Sequence, residues 1–336
     1  MKRIGLLGGS FDPIHLGHVG IAQAAMVQLA LNEVWFIVAF QTNLKDELSA
    51  GFEDRLAMVE LAIKNDSRLK VCAVEKDLPV PSYTINTIEL LKMEYPDFEF
   101  VFLIGSDQAE QIDKWHRFTE LLNMVEFKII SREGKAGDVY LTAEQYPQSS
   151  TSIRAGKVEY ADPLVWQYIL DHQLYLKNIV ASKLSESRYN HVSGVLTTAL
   201  DFAAHYSCDE KLTYYAALFH DIAKEMDKDM MLEYLTEEEK SKPKGVWHQY
   251  VSAKITRDYY RICNDSVYQA IYNHTTGDCE EVLAMIIFCA DKVEPTRDYD
   301  SSDLVSLCYQ DLHRGFKTIK AQHENLLKKK KVKMRI

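Results

Sequence analysis

Residues 8–18 read Gly8-Gly9-Ser10-Phe11-Asp12-Pro13-Ile14-His15-Leu16-Gly17-His18, directly after a short apolar run at residues 3–7. Paired glycines let a backbone turn sharply and approach a phosphate closely. The histidines fall at the start of the next helical segment, where free N–H groups and the positive end of the helix dipole favour an anion. Two imidazoles placed there can donate to a triphosphate, and Gly17 lets the ligand lie close against the helix. A second constellation lies far along the chain: His191, the adjacent pair His220-Asp221, His248, His274 and Asp291. Imidazole and carboxylate together suit iron, manganese, zinc or similar ions. An adjacent His-Asp on a helix cannot point both side chains fully in one direction. They can converge on an ion off the helix flank, helped by neighbouring helices.

The elements that must position these residues differ between the halves. In the first, strand-like runs at residues 3–7, 34–40, 69–74, 98–104 and 127–131 alternate with amphipathic stretches such as 18–29 and 53–64. That alternation predicts an α/β fold, a doubly wound Rossmann-like parallel sheet with helices on both faces. After the helix-like 163–171 the pattern changes, and residues 189–206, 210–225, 247–262, 265–273 and 280–293 all read as helices. The expected division is a nucleotide-handling domain over 1–177 and an all-α domain over 185–336, with the changeover in 177–185.

The chain is long enough for two cores at roughly 100–200 residues per domain. Its formal net charge of −10 argues against a nucleic-acid partner, since phosphate contacts need clustered Lys and Arg. The basic run from Lys328 to Arg335 reads as a solvated tail. None of the six cysteines forms a Cys-x-x-Cys pair, and the chain enters a strand-like segment without a signal peptide, so reduced thiols and a cytoplasmic location are expected. No apolar run approaches the ~20 residues that span a bilayer, so no membrane partner is expected, and a homo-oligomer is compatible with the sequence.

Residues 1–175 resemble the nucleotidyltransferase superfamily with an HIGH-type histidine motif, and within it the nicotinate-nucleotide adenylyltransferases. Later segments match in order: Glu53-Asp54-Arg55-Leu56-Ala57-Met58, Ser82-Tyr83-Thr84-Ile85-Asn86-Thr87, Ile104-Gly105-Ser106-Asp107, Trp115-His116-Arg117 and Ser150-Thr151-Ser152-Ile153-Arg154. The resemblance implies transfer of the adenylyl group of ATP to nicotinate mononucleotide, with Mg²⁺ accompanying ATP. It implies ATP contacts at Gly8, Gly9, Ser10, Phe11, His18, Lys45, Gly105, Asp107, Ser150, Thr151, Ser152 and Arg154. The segment 82–87 resembles the family's pyridine-binding turn, where Thr84 and Thr87 can meet a pyridine carboxylate, and Trp115 offers a face for stacking. His15 and His18 would stabilise the pentavalent phosphorus, and Arg154 the leaving pyrophosphate. Where the family carries an Asn-Pro-His-Lys-like run, this chain has Thr42-Asn43-Leu44-Lys45, so nicotinate and nicotinamide mononucleotide both remain open as acceptors. Pantetheine-phosphate and glycerol-phosphate nucleotidylyltransferases share the first motif but lack the Ser-Tyr-Thr-x-x-Thr segment and the matching tryptophan.

Residues 185–320 resemble the HD phosphohydrolase superfamily through Leu218-Phe219-His220-Asp221-Ile222-Ala223-Lys224. Tyr272-Asn273-His274-Thr275-Thr276-Gly277 and Ala290-Asp291-Lys292-Val293-Glu294-Pro295-Thr296-Arg297 are similar to the branch that splits diadenosine tetraphosphate into two ADP. That resemblance implies metal-assisted hydrolysis on His191, His220, Asp221 and Asp291, with iron or another divalent transition metal. Asp221 would also orient water. His248 and His274, with Thr275, would face phosphate or a second metal, and Lys224 and Arg297 would clamp phosphate. The alternatives are a non-catalytic nucleotide-sensing HD module or a phosphodiesterase for another nucleotide. A degenerate module should have lost a ligand, and all four are present.

Overall fold

The computed structural model describes residues 1–41, 49–131, 139–140, 148–297 and 299–333, with the side chains at 107, 131, 139, 140 and 327–333 outside that description. The segment Thr42–Lys45, and with it the expected Lys45 contact, lies outside the described residues. The chain forms two compact units, Met1–Leu176 and Lys177–Ile336.

In the first unit, strands β1 (Lys2–Gly9), β2 (Glu33–Val38), β3 (Leu69–Cys72), β4 (Phe98–Gly105), β5 (Glu126–Ser131) and β6 (Val139–Tyr140) form one sheet in the order β3-β2-β1-β4-β5-β6. Every neighbouring pair is parallel. The interleaved helices are α1 (Leu16–Gln28), α2 (Phe52–Ile63), α3 (Thr84–Glu94), α4 (Ser106–Ala109), α5 (Phe118–Met124), α6 (Ser150–Arg154) and α7 (Pro163–Asp171). Ile4, Leu6 and Leu7 of β1 and Phe100–Ile104 of β4 are buried. A parallel strand covered on both faces reads as a continuous apolar run, and so these two stood out in the sequence. The strand order reverses between β1 and β4, which opens a crevice at their carboxyl ends where ligands of such sheets bind. The 82–87 segment is not a turn throughout: Thr84 begins α3, and Thr87 lies in its first turn.

The second unit is helical: α8 (Leu176–Ala181) spans the division, followed by α9 (Glu186–His205), α10 (Glu210–Phe219), α11 (Lys228–Leu232), α12 (Glu237–Lys240), α13 (Trp247–Lys254), α14 (Asp265–Asn273), α15 (Val282–Val293), α16 (Ser302–Gln310) and α17 (Leu312–Lys333). Side chains of Ser185, Asp209 and Asn264 cap α9, α10 and α14, meeting amide groups that a helix start leaves unpaired. From Leu283 to Asp291 every residue of α15 is buried, as a helix apolar all round must be; it packs against α9, α14 and α17. The helix expected over 210–225 stops at Phe219. His220-Asp221 therefore occupies the turn after α10 rather than a helix, which frees both side chains to aim at one place. The helix expected over 247–262 changes at Ile255 to a π-helical stretch. Among the described residues no helix is long and apolar enough to cross a membrane.

Candidate functional site

The first site lies at the carboxyl ends of β1 and β4. His15 is the N-cap of α1, and its ring stacks on that of His18 with centroids 3.6 Å apart. A Cβ on Gly17 would stand 2.9 Å from Nδ1 of His15, so only glycine lets the ring lie there. The backbone N–H of His15 donates to Nδ1 of His18 at 3.3 Å. Burial, then the neighbouring His15, push the His18 pKa well below the usual histidine value. His18 is thus neutral with its proton on Nε2, a donor rather than a charge.

The turn that carries these histidines is fastened from several directions. Asp12 is buried; its Oδ1 accepts from Ala50 N at 3.1 Å and Tyr175 OH at 2.6 Å, and its Oδ2 from Ser49 N at 2.9 Å. The buried guanidinium of Arg55 donates to the carbonyls of Ser10 and Ala39, both at 2.7 Å. From late in the first unit, Ser150 Oγ donates to Pro13 O at 2.8 Å, and Arg154 donates to the carbonyl of Asp12. The two phosphate motifs expected from the sequence are thereby joined. Ser152 Oγ lies 2.8 Å from Ser149 Oγ, and Arg154 also donates to Thr151 Oγ1 at 3.3 Å. The Ser150 and Ser152 hydroxyls and the Arg154 guanidinium are thus all held within this turn.

Near the start of α3, Glu75 holds one of the two expected threonines, Thr87. It accepts from Ser82 Oγ at 2.8 Å, Phe40 N at 3.2 Å and Thr87 Oγ1 at 3.4 Å. Burial raises its pKa, only partly offset by these donors. Thr87 is buried, whereas Thr84 at the start of α3 is half-buried. Trp115 packs edge-on to Phe102 at 6.0 Å and to Phe127 at 6.3 Å, and Tyr83 stacks on His116 at 4.3 Å. Gly105 ends β4 and precedes α4; the side chain of Asp107 lies outside the description. Glu75, Arg55 and Tyr175 were not among the expected site residues.

The second site gathers all six expected residues. His191 comes from α9, His220 and Asp221 from the turn after α10, His248 from α13, His274 from just beyond α14 and Asp291 from α15. All are buried. Asp221 divides the cluster, with Oδ1 3.3 Å from Nε2 of both His248 and His274. Its Oδ2 lies 3.8 Å from His220 Nε2 and 3.9 Å from His191 Nε2. Asp291 Oδ1 completes the second side, 3.1 Å from His191 Nε2 and 4.0 Å from His220 Nε2.

These donors fit a metal. Nε2 of His191, Nε2 of His220 and Oδ1 of Asp221 are buried and make no hydrogen bond among the described atoms, a costly state unless an ion is shared. Separations of 3–4 Å are those of ligands each about 2.0–2.2 Å from one ion. Two ligand groups, His191-His220-Asp221 and Asp221-His248-His274, each bring their ligand atoms within 4.8 Å of one another, with Asp221 common to both. Ring orientation is set from behind: His220 Nδ1 lies 2.7 Å from Ala217 O, and His274 Nδ1 2.7 Å from Ile271 O. Each ring rests on a carbonyl in the last turn of its own helix, which holds the Nε2 lone pair toward the cluster.

Burial lowers the His220 pKa to about 4, and lowers those of His248 and His274. Burial alone would raise Asp221, but the histidines around it hold its carboxyl well below the usual range. Four cations close on the carboxylates. Arg188 lies 3.3 Å from Asp221 Oδ2, and Lys224 3.8 Å from Asp221 Oδ1. Arg297 donates to Asp291 Oδ1 at 2.7 Å, and Lys292 pairs with Asp291 Oδ2. Thr275 Oγ1 sits 3.1 Å from both His248 Nε2 and His274 Nε2. Arg188 and Lys292 were not among the expected site residues; Lys292 lies inside the 290–297 segment without an assigned role, and Arg188 stands one helical turn before His191.

Comparison with known proteins agrees with this division. The Cytidylyltransferase-like family matches residues 6–156, and the HD domain family matches residues 188–296. A Mycoplasma pneumoniae protein named "Probable nicotinate-nucleotide adenylyltransferase/Ap4A hydrolase" is 30% identical, over 93% of this chain and 96% of its own length. A Mycoplasma genitalium protein of the same name is 28% identical, over 97% of this chain and 99% of its own. A Bacillus pumilus "Probable nicotinate-nucleotide adenylyltransferase" is 38% identical, over 52% of this chain and 99% of its own length. The shorter relative thus accounts for one half of the chain and the longer two for both.

Proposed function

The chain belongs to the nicotinate-nucleotide adenylyltransferase/Ap4A hydrolase family, and from that premise we propose a reaction for each unit. Residues 1–177 transfer the adenylyl group of ATP to nicotinate mononucleotide, yielding deamido-NAD and pyrophosphate. The observation that supports this most is the fastening of the Asp12-Pro13 turn to Ser150 and Arg154, which brings both phosphate motifs to the N-terminus of α1. The attacking 5′-phosphate is already ionised, so positioning and charge stabilisation carry catalysis. His15, His18 through its Nε2–H, and Arg154 would hold the charge that gathers on phosphorus and pyrophosphate. Gly8, Gly9, Ser10, Phe11, Gly105, Asp107 and Lys45 would complete the ATP contacts, and Mg²⁺ would arrive on the polyphosphate. Thr84 would meet the pyridine carboxylate and Trp115 the ring, with Thr87 acting from behind through Glu75.

Residues 185–336 hydrolyse diadenosine tetraphosphate to two ADP. Iron or another divalent transition metal, bound by His191, His220, Asp221 and Asp291, would supply Lewis acidity and an activated water. The position of Asp221 between two ligand groups favours His248 and His274 as ligands of a second ion over phosphate contacts. Asp221 would orient the attacking water, while Lys224, Thr275 and Arg297, joined by Arg188, hold phosphate oxygens. The free cysteines among the described residues accord with a cytoplasmic location.

A substrate panel on the intact chain, with metal analysis of the same sample, tests both assignments. We expect deamido-NAD from ATP and nicotinate mononucleotide, and ADP from diadenosine tetraphosphate. An Asp221→Ala variant that still released ADP at the full rate would overturn the second assignment.

A further inference from the structure

Three of the clustered histidines are held from behind, but not alike. His220 and His274 rest their Nδ1 against backbone carbonyls. His191 Nδ1 instead lies 2.9 Å from the carboxylate of Glu294. We infer that Glu294 is a positioning residue that makes the His191-His220-Asp291 side of the cluster the tighter of two metal positions. This rests on the metal reading of the second unit.

The carboxylate has no freedom to serve another purpose. Its side chain is fully buried, and it accepts from Thr296 N and Thr296 Oγ1, both at 2.7 Å. Arg297, which clamps Asp291, stands 3.4 Å from it. Glu294 also follows Asp291 by three residues at the end of α15, so one helix end supplies both a ligand and the brace of another ligand. On the facing helix, Gly194 is three residues after His191 and therefore on the same face. A Cβ there would come within 2.4 Å of Glu294 Oε2. The glycine is the space in which the carboxylate sits.

The chemical consequence is unequal ligands. A carboxylate that accepts from Nδ1–H fixes the tautomer and loads electron density onto the imidazole, making Nε2 a stronger donor than a carbonyl-backed ring. On the other side His274 Nδ1 rests against Ile271 O, and among the described residues no carboxylate braces His248 or His274 from behind. Metal should therefore fill the His191 side first.

The test is calorimetric titration of the chelator-stripped, full-length chain with Co²⁺. The wild type should take up ions in a tight and a weaker phase. Glu294→Gln should weaken the tight phase by roughly 10–100-fold, the usual effect of removing a partner behind a ligand, and leave the weaker phase in place. Gly194→Ala, which keeps the charge but displaces it, should weaken the same phase. It also raises helix propensity, so it answers the question even if Glu294→Gln does not fold. A tight phase unchanged in either folded variant, or equal loss of both phases, would overturn the inference while leaving the metal reading intact. No uptake by the wild type would overturn the metal reading and this inference with it.

Discussion

The first unit sets its paired histidines at a helix N-terminus, whereas two of the four in the second unit's cluster stand at helix C-termini. In the first unit His15 caps the N-terminus of α1; in the second, His220 and His274 follow the last residues of α10 and α14. A helix N-terminus carries partial positive charge and a C-terminus partial negative charge. The same side chain is thus set to receive an anion in one place and a cation in the other. The carboxylates follow suit. Asp12 near the first site spends both oxygens on Ser49, Ala50 and Tyr175, whereas Asp221 and Asp291 turn theirs toward the histidine cluster. Burying an unpaired carboxylate costs several kcal/mol. The second site therefore depends on cations for its own integrity, and the first does not.

The sharpest way to break that contrast is Asp221→Asn. Loss of several kcal/mol of ion-supplied stabilisation corresponds to a fall in hydrolysis of roughly 10³-fold or more. Adenylyl transfer by the same sample should stay within about twofold, as expected when each unit carries its own site and the two act independently. Parallel assays of the two reactions check this, and a comparable fall in both would mean that the sites are not separable. The mirror experiment is His18→Ala. Removing one preorganised donor to a developing charge should lower adenylyl transfer about 10²-fold and spare hydrolysis. Because His18 is held neutral, its loss should not remove a titration from the pH–rate profile near pH 6.5; disappearance of one would show that it acts as a cation.

The same contrast governs what could be read from the sequence. The strands of the first unit were legible because a strand buried on both faces is an apolar run; β6, two residues at the sheet edge, is too short to show a period. The His-Asp cluster was legible because its residue types are rare in cores. Its supports were not. Arg188 looks in the sequence like an ordinary charge near a helix end, and Glu294 and Lys292 lie in the 290–297 segment with nothing to mark their roles; only the packing of α9 against α15 turns Glu294 inward. Arg55 is hidden for the same reason, being the one arginine in a helix that otherwise looks amphipathic, yet it is almost fully buried. The hydroxyls of Ser150 and Ser152 had suggested phosphate ligands. In the structure they also meet Pro13 O and Ser149 Oγ, a local geometry that residue type does not specify.

Acid should separate the units by a smaller amount. Burial holds His220 neutral down to about pH 4 and also lowers His248 and His274, while the unfolded rings protonate near pH 6.5. Between those limits the unfolded state binds more protons than the native one, so stability falls as pH falls. In the first unit His18 is shifted the same way, one ring against three. Thermal unfolding of the metal-free chain at pH 7, 5.5 and 4.5 should therefore show the second unit's transition dropping more steeply. Transitions that drop in parallel would remove buried histidine as the distinguishing feature.

The smallest effect belongs to the first site's internal fastening. Tyr175 donates to Asp12 Oδ1 at 2.6 Å from a left-handed backbone position, φ 61°, in the last residues before the division of the chain. Asp12 in turn anchors the segment at Ser49 and Ala50, and its own carbonyl receives Arg154. Tyr175→Phe removes one donor to a charged group, which costs about 1.5–3 kcal/mol, and leaves the ring in place. The first unit's unfolding temperature should fall by several degrees at roughly 2–4 °C per kcal/mol, with adenylyl transfer reduced a few-fold and hydrolysis unchanged. If transfer fell without loss of stability, Tyr175 would be aligning the Asp12 turn rather than merely holding it. If stability fell and transfer did not, Asp12 would be a purely structural anchor and the alignment of the site would rest on Ser150 and Arg154.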